Sequence, residues 1–123
     1  MAVQVEFAAP GRFVLHASGS LTRQEFEQAL DEVAADPAWY DGSQLLCLAD
    51  HVSAPLNTED LRLLSERLAG MVRSGARKIA IVCSQPLVYG LSRMFAVYAE
   101  SVGARVGVFR DSSSADRWFA EAP

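Results

Sequence analysis

Three residue types of a serine-hydrolase triad occur together in the middle of the chain, at Asp50, His51 and Ser53. A triad needs a base within reach of the nucleophile and an acid within reach of the base, and folds build this from separate segments. Neighbours on one extended segment point in divergent directions. We therefore expect no catalysis here, and we interpret the segment as a polar loop at the carboxyl end of a strand. Open α/β sheets bind ligands at that end, so the loop is a candidate binding rim.

Metal and cofactor sites have little support in the sequence. His16 and His51, the two histidines, have no His or Cys partner at the spacing of a zinc site. Cys47 and Cys83 each lie in an apolar run, where a free cysteine acts as a small hydrophobic side chain. The glycines are isolated and form no phosphate-binding loop. The sequence thus predicts no metal, no disulfide and no cofactor, and it predicts that His16 is a hydrogen-bonded histidine on the polar face of its strand.

The composition is that of one globular domain spanning residues 1–123, because half of the residues are apolar and 21% are charged. No apolar run approaches the roughly 18 residues of a membrane span. The net charge is −4 and the basic residues are scattered, which argues against a nucleic-acid partner. The first residues lack the basic and apolar regions of a signal peptide, so we expect a cytoplasmic protein.

Strand and helix patterns alternate along the chain. Two period-two runs separated by Pro10 and Gly11 predict a hairpin, and apolar runs then alternate with amphipathic stretches. The predicted strands are Val3–Phe7, Phe13–Ala17, Leu45–Ala49, Lys78–Ser84 and Val106–Phe109, and the predicted helices begin near Thr22, Asn57 or Thr58, Pro86 and Asp111. The order β-β-α-β-α-β-α-β-α is typical of an α/β fold with a mostly parallel five-stranded sheet, an antiparallel edge strand and about four helices.

Both faces of the two central strands are apolar, at Leu45–Ala49 and Ile79–Cys83. Strands of this kind are covered on both faces. Right-handed crossovers between successive strands would put the helices on one side of the sheet. We expect the other side to be covered by some of the helices, by another subunit or by an apolar ligand.

The helix that begins at Pro86 is apolar on more than one side. Its predicted core-facing stripe consists of Leu87, Leu91, Met94, Tyr98 and Val102. Phe95 falls outside this stripe, and Tyr89 and Arg93 lie together at positions i and i+4. Aromatic and arginine side chains often anchor interfaces, so these three are predicted to form an interaction surface. Two alternatives stay open: a wide apolar arc is also found on ordinary core helices, and Arg93 could bind an anionic ligand or a carboxylate such as Asp111.

Three features of the second half of the chain resemble the SpoIIAA-like family, relatives of the STAS (anti-anti-sigma factor) domains. They are the stretch YGLSRMF that opens a helix, the strand ending VFRD, and the pair Trp118 and Phe119 in the last helix. The resemblance in element order spans nearly the whole chain, and its sharp motifs lie between Tyr89 and Phe119. It implies one STAS-like domain with a fold shared with Sec14-type lipid-binding domains. Family members are mostly bacterial and non-enzymatic.

The resemblance also implies a phosphorylation site in the turn after the third strand, where STAS relatives carry a regulatory serine. The residues in this stretch that could be phosphorylated are Ser53 and Thr58. The stretch departs from the pattern because it lacks an Asp-Ser-Ser-Gly run and because Glu59 and Asp60 would repel a phosphate. Thr58 is alternatively the cap of the following helix.

We therefore expect a regulatory or scaffolding protein-interaction module that is not an enzyme and that forms a homodimer. Its predicted contact surface joins Tyr89, Arg93 and Phe95 to His51 and Ser53. The alternative is a carrier or sensor of a small apolar or amphipathic ligand, held between the third helix and the sheet as in Sec14-type domains. A chain of this length leaves little room for a lipid-sized cavity of roughly 300 Å³.

Overall fold

The computed structural model describes residues 2–39, 43–74 and 78–121. Five strands and four helices follow one another in this part of the chain in the order that the sequence predicts. They are β1 (Val3–Ala9), β2 (Arg12–Ser20), α1 (Arg23–Ala35), β3 (Gln44–Ala54), α2 (Thr58–Ser74), β4 (Lys78–Val82), α3 (Pro86–Ser101), β5 (Arg105–Phe109) and α4 (Ser112–Ala120).

The strands form one mixed sheet in the order β1-β2-β3-β4-β5. β1 is antiparallel to β2, and all the other neighbours are parallel, so the predicted antiparallel edge strand is confirmed. Gly11 in the hairpin turn has a φ angle of 78°, a left-handed conformation that glycine adopts without steric cost. The carboxyl ends of β2 to β5 therefore meet at one edge of the sheet, where β3 leads to α2 and β4 leads to α3.

Helices cover the two faces of the sheet unequally. α1, α2 and α3 pack on the face formed by Phe13, Leu15, Cys47 and Ile81, and this layer holds the larger core. On the other face, a smaller apolar cluster is closed by α4, with members Val14, Leu46, Ala80, Val82, Ala115 and Phe119. A helix of the same chain thus covers the second face of the central strands, which is the first of the three alternatives left open by the sequence.

Lys78 at the start of β4 holds the end of α4 in place. It is buried, and its Nζ donates hydrogen bonds to the carbonyl oxygens of Trp118, at 2.8 Å, and Glu121, at 2.9 Å. The ammonium group also lies 5.0 Å from the centroid of the Trp118 ring. A cation is favourable at a helix C-terminus, so Lys78 stabilises α4 against the sheet through charge as well as hydrogen bonding.

Side chains cap two helices at the residues near which the sequence predicts that they begin, and at a third helix the predicted cap is corrected. Thr22 Oγ1 accepts a hydrogen bond from the Glu25 N–H, and Asp111 Oδ1 accepts one from the Ser114 N–H. At α2 the cap is Asn57, whose Oδ1 accepts from the Asp60 N–H at 2.8 Å. The interpretation of Thr58 as the cap is therefore wrong, because the hydrogen bond comes from the residue before it and Thr58 is already helical.

Candidate interaction surface and core cavity

The predicted polar loop after β3 is largely strand. β3 runs to Ala54, and its last part pairs with the end of β2, where Gly19 faces Val52 and Ser20 faces Ala54. Register shifts interrupt this pairing, and His51 has a φ angle of 58°, an uncommon conformation for a residue other than glycine. The alternation of buried and exposed residues that is typical of a strand cannot be recognised in this part of the sequence, because Val52 is the buried apolar residue in a mostly polar segment. The segment remains a rim, but it is more rigid than a loop.

Asp50, His51 and Ser53 do not converge. The Asp50 carboxylate accepts hydrogen bonds from the hydroxyl group of Ser84, at 3.0 Å, and from its backbone N–H, at 3.2 Å. His51 and Ser53 are exposed, and no hydrogen bond within the described ranges joins them to Asp50 or to each other. Asp50 thus ties the end of β3 to the end of β4, and it orients no catalytic base.

Gln85 makes a second link between these strands, which could not be predicted from any sequence pattern. The Val52 N–H donates to Gln85 Oε1 at 2.7 Å, and Gln85 Nε2 donates to the Val52 carbonyl oxygen at 3.0 Å. Gln85 occupies the N-cap position of α3 but makes no side-chain cap. The Gln85 side chain therefore bonds to the backbone of β3 and not to that of its own helix. These bonds hold the end of β3 in place relative to the start of α3.

α3 faces the sheet with a different side from the one predicted. Its buried residues are Val88, Ser92 and Ala99, whereas Leu87 is 65% exposed and Met94 is 38% exposed. The predicted stripe is therefore wrong at Leu87 and Met94. The helix is apolar nearly all round, so hydrophobicity alone does not select a face, and the small side chains of Ser92 and Ala99 mark the side that lies closest to its neighbours.

Phe95 belongs to the inner side of α3. It is partly buried, packs against the larger core and lines the cavity described below. When positions are placed at about 100° per residue, Phe95 lies about 160° from Val97 and about 20° from Val88. The prediction that it falls outside the core-facing stripe is therefore wrong. The exposed residues Met94 and Val97 lie on the outer side of the helix instead.

Tyr89 and Arg93 are not partners in the structure. The guanidinium carbon of Arg110 lies 4.3 Å from the centroid of the Tyr89 ring, so the tyrosine face is covered by a cation from the end of β5. Arg93 is exposed and has no ion pair or side-chain hydrogen bond with any residue in the described ranges. Asp111, which the sequence offered as a partner for Arg93, caps α4.

The outer side of α3 carries three exposed apolar side chains, which we call the α3 patch: Leu87, Met94 and Val97. Val97 is 66% exposed, as much as Leu87. At about 100° per residue the three lie within about 80° of arc, opposite the buried side. Gly90 lies in the same arc and is exposed, with nothing within 4 Å of the position that a Cβ would occupy. The patch is thus a small, flat apolar surface with room above it.

A cavity of about 110 Å³ lies between the sheet and helices α1, α2 and α3. Its walls are almost entirely hydrocarbon, with contributions from Leu45, Leu64, Val88 and Phe95. The exceptions in the lining are the Cys47 thiol and the Ser92 hydroxyl group. Burial, helped by the nearby Cys83, raises the pKa of Cys47 to about 12, so this thiol stays neutral at physiological pH. The cavity is therefore uncharged and apolar.

The two phosphorylation candidates are both exposed. Ser53 lies in the last part of β3, and Thr58 is the first residue of α2. Glu59 and Asp60 follow Thr58 directly, and Glu59 forms an ion pair with Arg62. Both residues are accessible to solvent, and the acidic first turn of α2 would repel a phosphate on Thr58.

His16 lies where the sequence predicts, on the exposed side of β2, with its Nε2 at 2.6 Å from Glu6 Oε1. Within the described ranges, no group of three or more His, Cys, Asp or Glu side chains is arranged to hold a metal ion. In the same part of the chain, no helix has both the length and the apolar character needed to cross a membrane.

No protein-family model and no curated protein matches the sequence. The structure is similar to that of an uncharacterised protein of the DUF3478 family from Shewanella loihica PV-4, which has a SpoIIAA-like fold. The similarity covers 97% of this chain and 93% of that chain, with a TM-score of 0.61 and 19% sequence identity. Likeness at this identity is evidence of fold alone. The chain thus has a SpoIIAA-like α/β fold, as the motifs near Tyr89 and Phe119 suggest.

Proposed function

We propose that this protein is a cytoplasmic, non-enzymatic regulatory module that works as a homodimer joined through α3. The observation that carries the proposal is the α3 patch, where Leu87, Met94 and Val97 are exposed together on one side of a helix. Exposed apolar side chains clustered on one surface are typical of contact sites. In this proposal the α3 patch takes the place of Phe95 in the contact surface that was predicted from the sequence. Arg93 remains part of the contact surface, at the border of the patch.

Two unpaired charges beside the patch favour a second copy of the same chain as the occupant. Arg93 and Glu100 are both exposed, and neither has an ion-pair partner among the described residues. They lie on the same side of α3, seven positions apart. When two α3 helices pack antiparallel about a two-fold axis that passes midway between these positions, level with Ala96 and Val97, Arg93 of each copy comes opposite Glu100 of the other. The surface is therefore complementary to itself, as a two-fold interface requires.

Gly90 supports a close helix partner. A glycine inside a helix destabilises it by roughly 0.5–1 kcal/mol relative to alanine, and this one lies against no other part of the described chain. No contact in the part of the monomer that the structure describes accounts for this glycine. A missing side chain on the outer side of α3 lets a neighbouring backbone approach, which is a common role of small residues at helix contacts.

The rim at the carboxyl edge of the sheet is proposed as a second contact region, for a regulatory partner. It comprises His51, Ser53 and Tyr89, with Arg110 stacked on the tyrosine. His51 holds a strained backbone conformation, and such conformations are found more often at functional sites than elsewhere. Phosphorylation of Ser53 would add negative charge to this rim and so change the affinity for a partner.

The absence of catalysis is part of the proposal, and two features support it. Asp50 is engaged with Ser84 and does not orient His51. The thiols of Cys47 and Cys83 both have a raised pKa because they are buried, which makes them poor nucleophiles. A broad hydrolase screen of the purified protein is expected to be negative, and activity that is lost in His51→Ala would overturn this part.

The dimer is tested by sedimentation velocity over a dilution series of the wild type and of Val97→Asp. We expect the wild type to be dimeric at high concentration and to dissociate on dilution, because a patch of three side chains gives a weak contact. Val97→Asp is expected to be monomeric throughout. Ala34→Asp, which places the same charge on an exposed position of α1, is the matched control and should dimerise like the wild type. A wild type that is monomeric at every concentration contradicts the proposal.

A second candidate function is the binding of a small apolar molecule, and the cavity between α3 and the sheet is the observation that favours it. Its volume of about 110 Å³ is well below the roughly 300 Å³ of sites for drug-sized or larger ligands. An engineered apolar cavity of about 150 Å³ binds benzene. The protein would thus carry or sense a molecule of benzene size, and a lipid tail would not fit.

Benzene itself is a suitable probe for this candidate. Titration followed by NMR should shift the methyl signals of lining residues such as Leu45, Leu64 and Val88. Ala49→Val adds two methyl groups to the cavity wall and is expected to weaken benzene binding by about tenfold. The absence of benzene-dependent shifts in the folded wild type would contradict the candidate and would leave the α3 dimer unaffected.

A further inference from the structure

Ser92 is the polar residue of α3 that faces the apolar interior. It is 8% exposed, lies in the middle of the buried side of the helix, and contributes to the cavity wall. A hydroxyl group in such surroundings costs free energy unless it is hydrogen-bonded. An alanine or valine at this position would pack against the same neighbours without that cost.

Two other helical serines, the buried Ser65 and the exposed Ser101, show how a hydroxyl group on a helix is usually satisfied. Ser65 Oγ donates to the Arg62 carbonyl oxygen at 2.6 Å, and Ser101 Oγ donates to the Tyr98 carbonyl oxygen at 2.6 Å. Both bonds close onto the preceding turn of the residue's own helix. Ser92 makes no such bond within the described chain, so its hydroxyl group is not turned back onto α3.

Among the described residues, the Ser92 hydroxyl has one partner, the Cys83 sulfur atom at 3.8 Å. Sulfur is a weak donor and a weak acceptor, and a hydroxyl group can donate one hydrogen bond and accept two. Whichever of the two atoms is the donor, Ser92 Oγ retains capacity for a stronger bond. This capacity is located in the wall of an otherwise hydrocarbon cavity.

We propose that the cavity binds a small molecule with an apolar body and one uncharged hydrogen-bonding group that meets Ser92, as in a phenol or a short-chain alcohol. This inference rests on the cavity candidate described above and narrows its ligand class. The volume of about 110 Å³ limits the molecule to about six to eight non-hydrogen atoms. A charged ligand is excluded because the lining has no charged side chain to balance it.

The preference is tested by comparing phenol with benzene in isothermal titration and NMR, using the wild type, Ser92→Ala and Ser65→Ala. Ser92→Ala is expected to weaken phenol binding by about tenfold and to change benzene binding by less than about twofold. Ser65→Ala should leave both affinities unchanged, because its hydroxyl bonds to its own helix away from the cavity lining. In the wild type, phenol should shift the amide signals of Ser92 and Cys83 more than benzene does.

The outcomes separate the two claims. Benzene binding with a phenol affinity that Ser92→Ala does not change would overturn the ligand class and leave the cavity candidate standing. Failure of both probes to bind the folded wild type would overturn both. If Ser92→Ala does not fold, the amide shifts of the wild type alone test the ligand class. Phenol shifts equal to those of benzene at Ser92 and Cys83 would contradict the inference.

Discussion

The side-chain amide of Gln85 pairs with the backbone of Val52 as a neighbouring strand would, accepting from its N–H at 2.7 Å and donating to its carbonyl oxygen at 3.0 Å. Val52 is buried, so without Gln85 two backbone groups would lose their partner. This relationship joins the irregular end of β3 to the first turn of α3. It lets the chain hold His51 in a left-handed conformation beside the start of the helix that bears the patch.

Replacement of Gln85 is therefore expected to destabilise the protein. Gln85→Ala leaves two largely buried backbone groups unpaired, which should lower the free energy of unfolding by about 1–3 kcal/mol. Urea denaturation followed by circular dichroism measures the change. Gln24→Ala, at an exposed position of α1, is the control and should alter stability by less than about 0.5 kcal/mol. Equal stability of the two variants would show that the pairing contributes nothing.

Lys78 is expected to hold α4 on the sheet. Lys78→Met keeps the aliphatic volume and removes two charge-assisted hydrogen bonds to the end of α4, so stability should fall by about 1.5–3 kcal/mol. Hydrogen exchange should accelerate most in α4. Arg117→Met, on the exposed side of the same helix, should leave exchange unchanged. Uniform acceleration across the protein would contradict a local anchoring role.

Because the Cys47 thiol is buried, we expect the folded protein to lose stability at alkaline pH. Burial raises its pKa from 9.0 to about 12, so the folded state holds the proton more tightly than the unfolded chain does. The contribution of the neutral Cys47 thiol to the free energy of unfolding is therefore fully present below pH 9.0, and it is lost progressively as the pH rises toward about 12. The slope from this one group is at most about 1.4 kcal/mol per pH unit. Urea midpoints across this range should fall less steeply in Cys47→Ala, and identical slopes would contradict the assignment.

Gly90 is expected to affect the monomer and the dimer in opposite directions. Gly90→Ala should stabilise the folded monomer by roughly 0.5–1 kcal/mol, because alanine loses less backbone entropy in a helix and meets no atom within 4 Å. The added methyl group should weaken dimerisation, since it lies on the side of α3 that meets the second copy. Thermal unfolding at low concentration measures the first effect and sedimentation the second. If Gly90→Ala is more stable than the wild type and dimerises equally well, Gly90 does not lie in the interface.

The fold could be predicted from the sequence further than the site could. Element order and the antiparallel edge strand follow from local patterns, such as the alternation around the Pro10 and Gly11 turn. The second half of β3 could not be predicted, because Val52 is the one buried apolar residue there and its pairing depends on Gly19 and on the distant Gln85.

Which side of α3 is buried could not be predicted from the sequence either. On a helix that is apolar nearly all round, the buried side is decided by which residues fit closely against the neighbouring elements, and that information is not contained in hydrophobic spacing. Ser92 and Ala99 on the inner side, with Gly90 left outside, are the signal that could have identified it.

The central claim, a two-fold dimer through α3, is tested most directly by charge reversal in sedimentation equilibrium. Arg93→Glu and Glu100→Arg alone should each weaken dimerisation, because each places like charges opposite one another. The double variant Arg93→Glu/Glu100→Arg should restore the wild-type dissociation constant to within about threefold. Dimerisation that is unaffected by either single change, or a double variant weaker than both, would contradict the account.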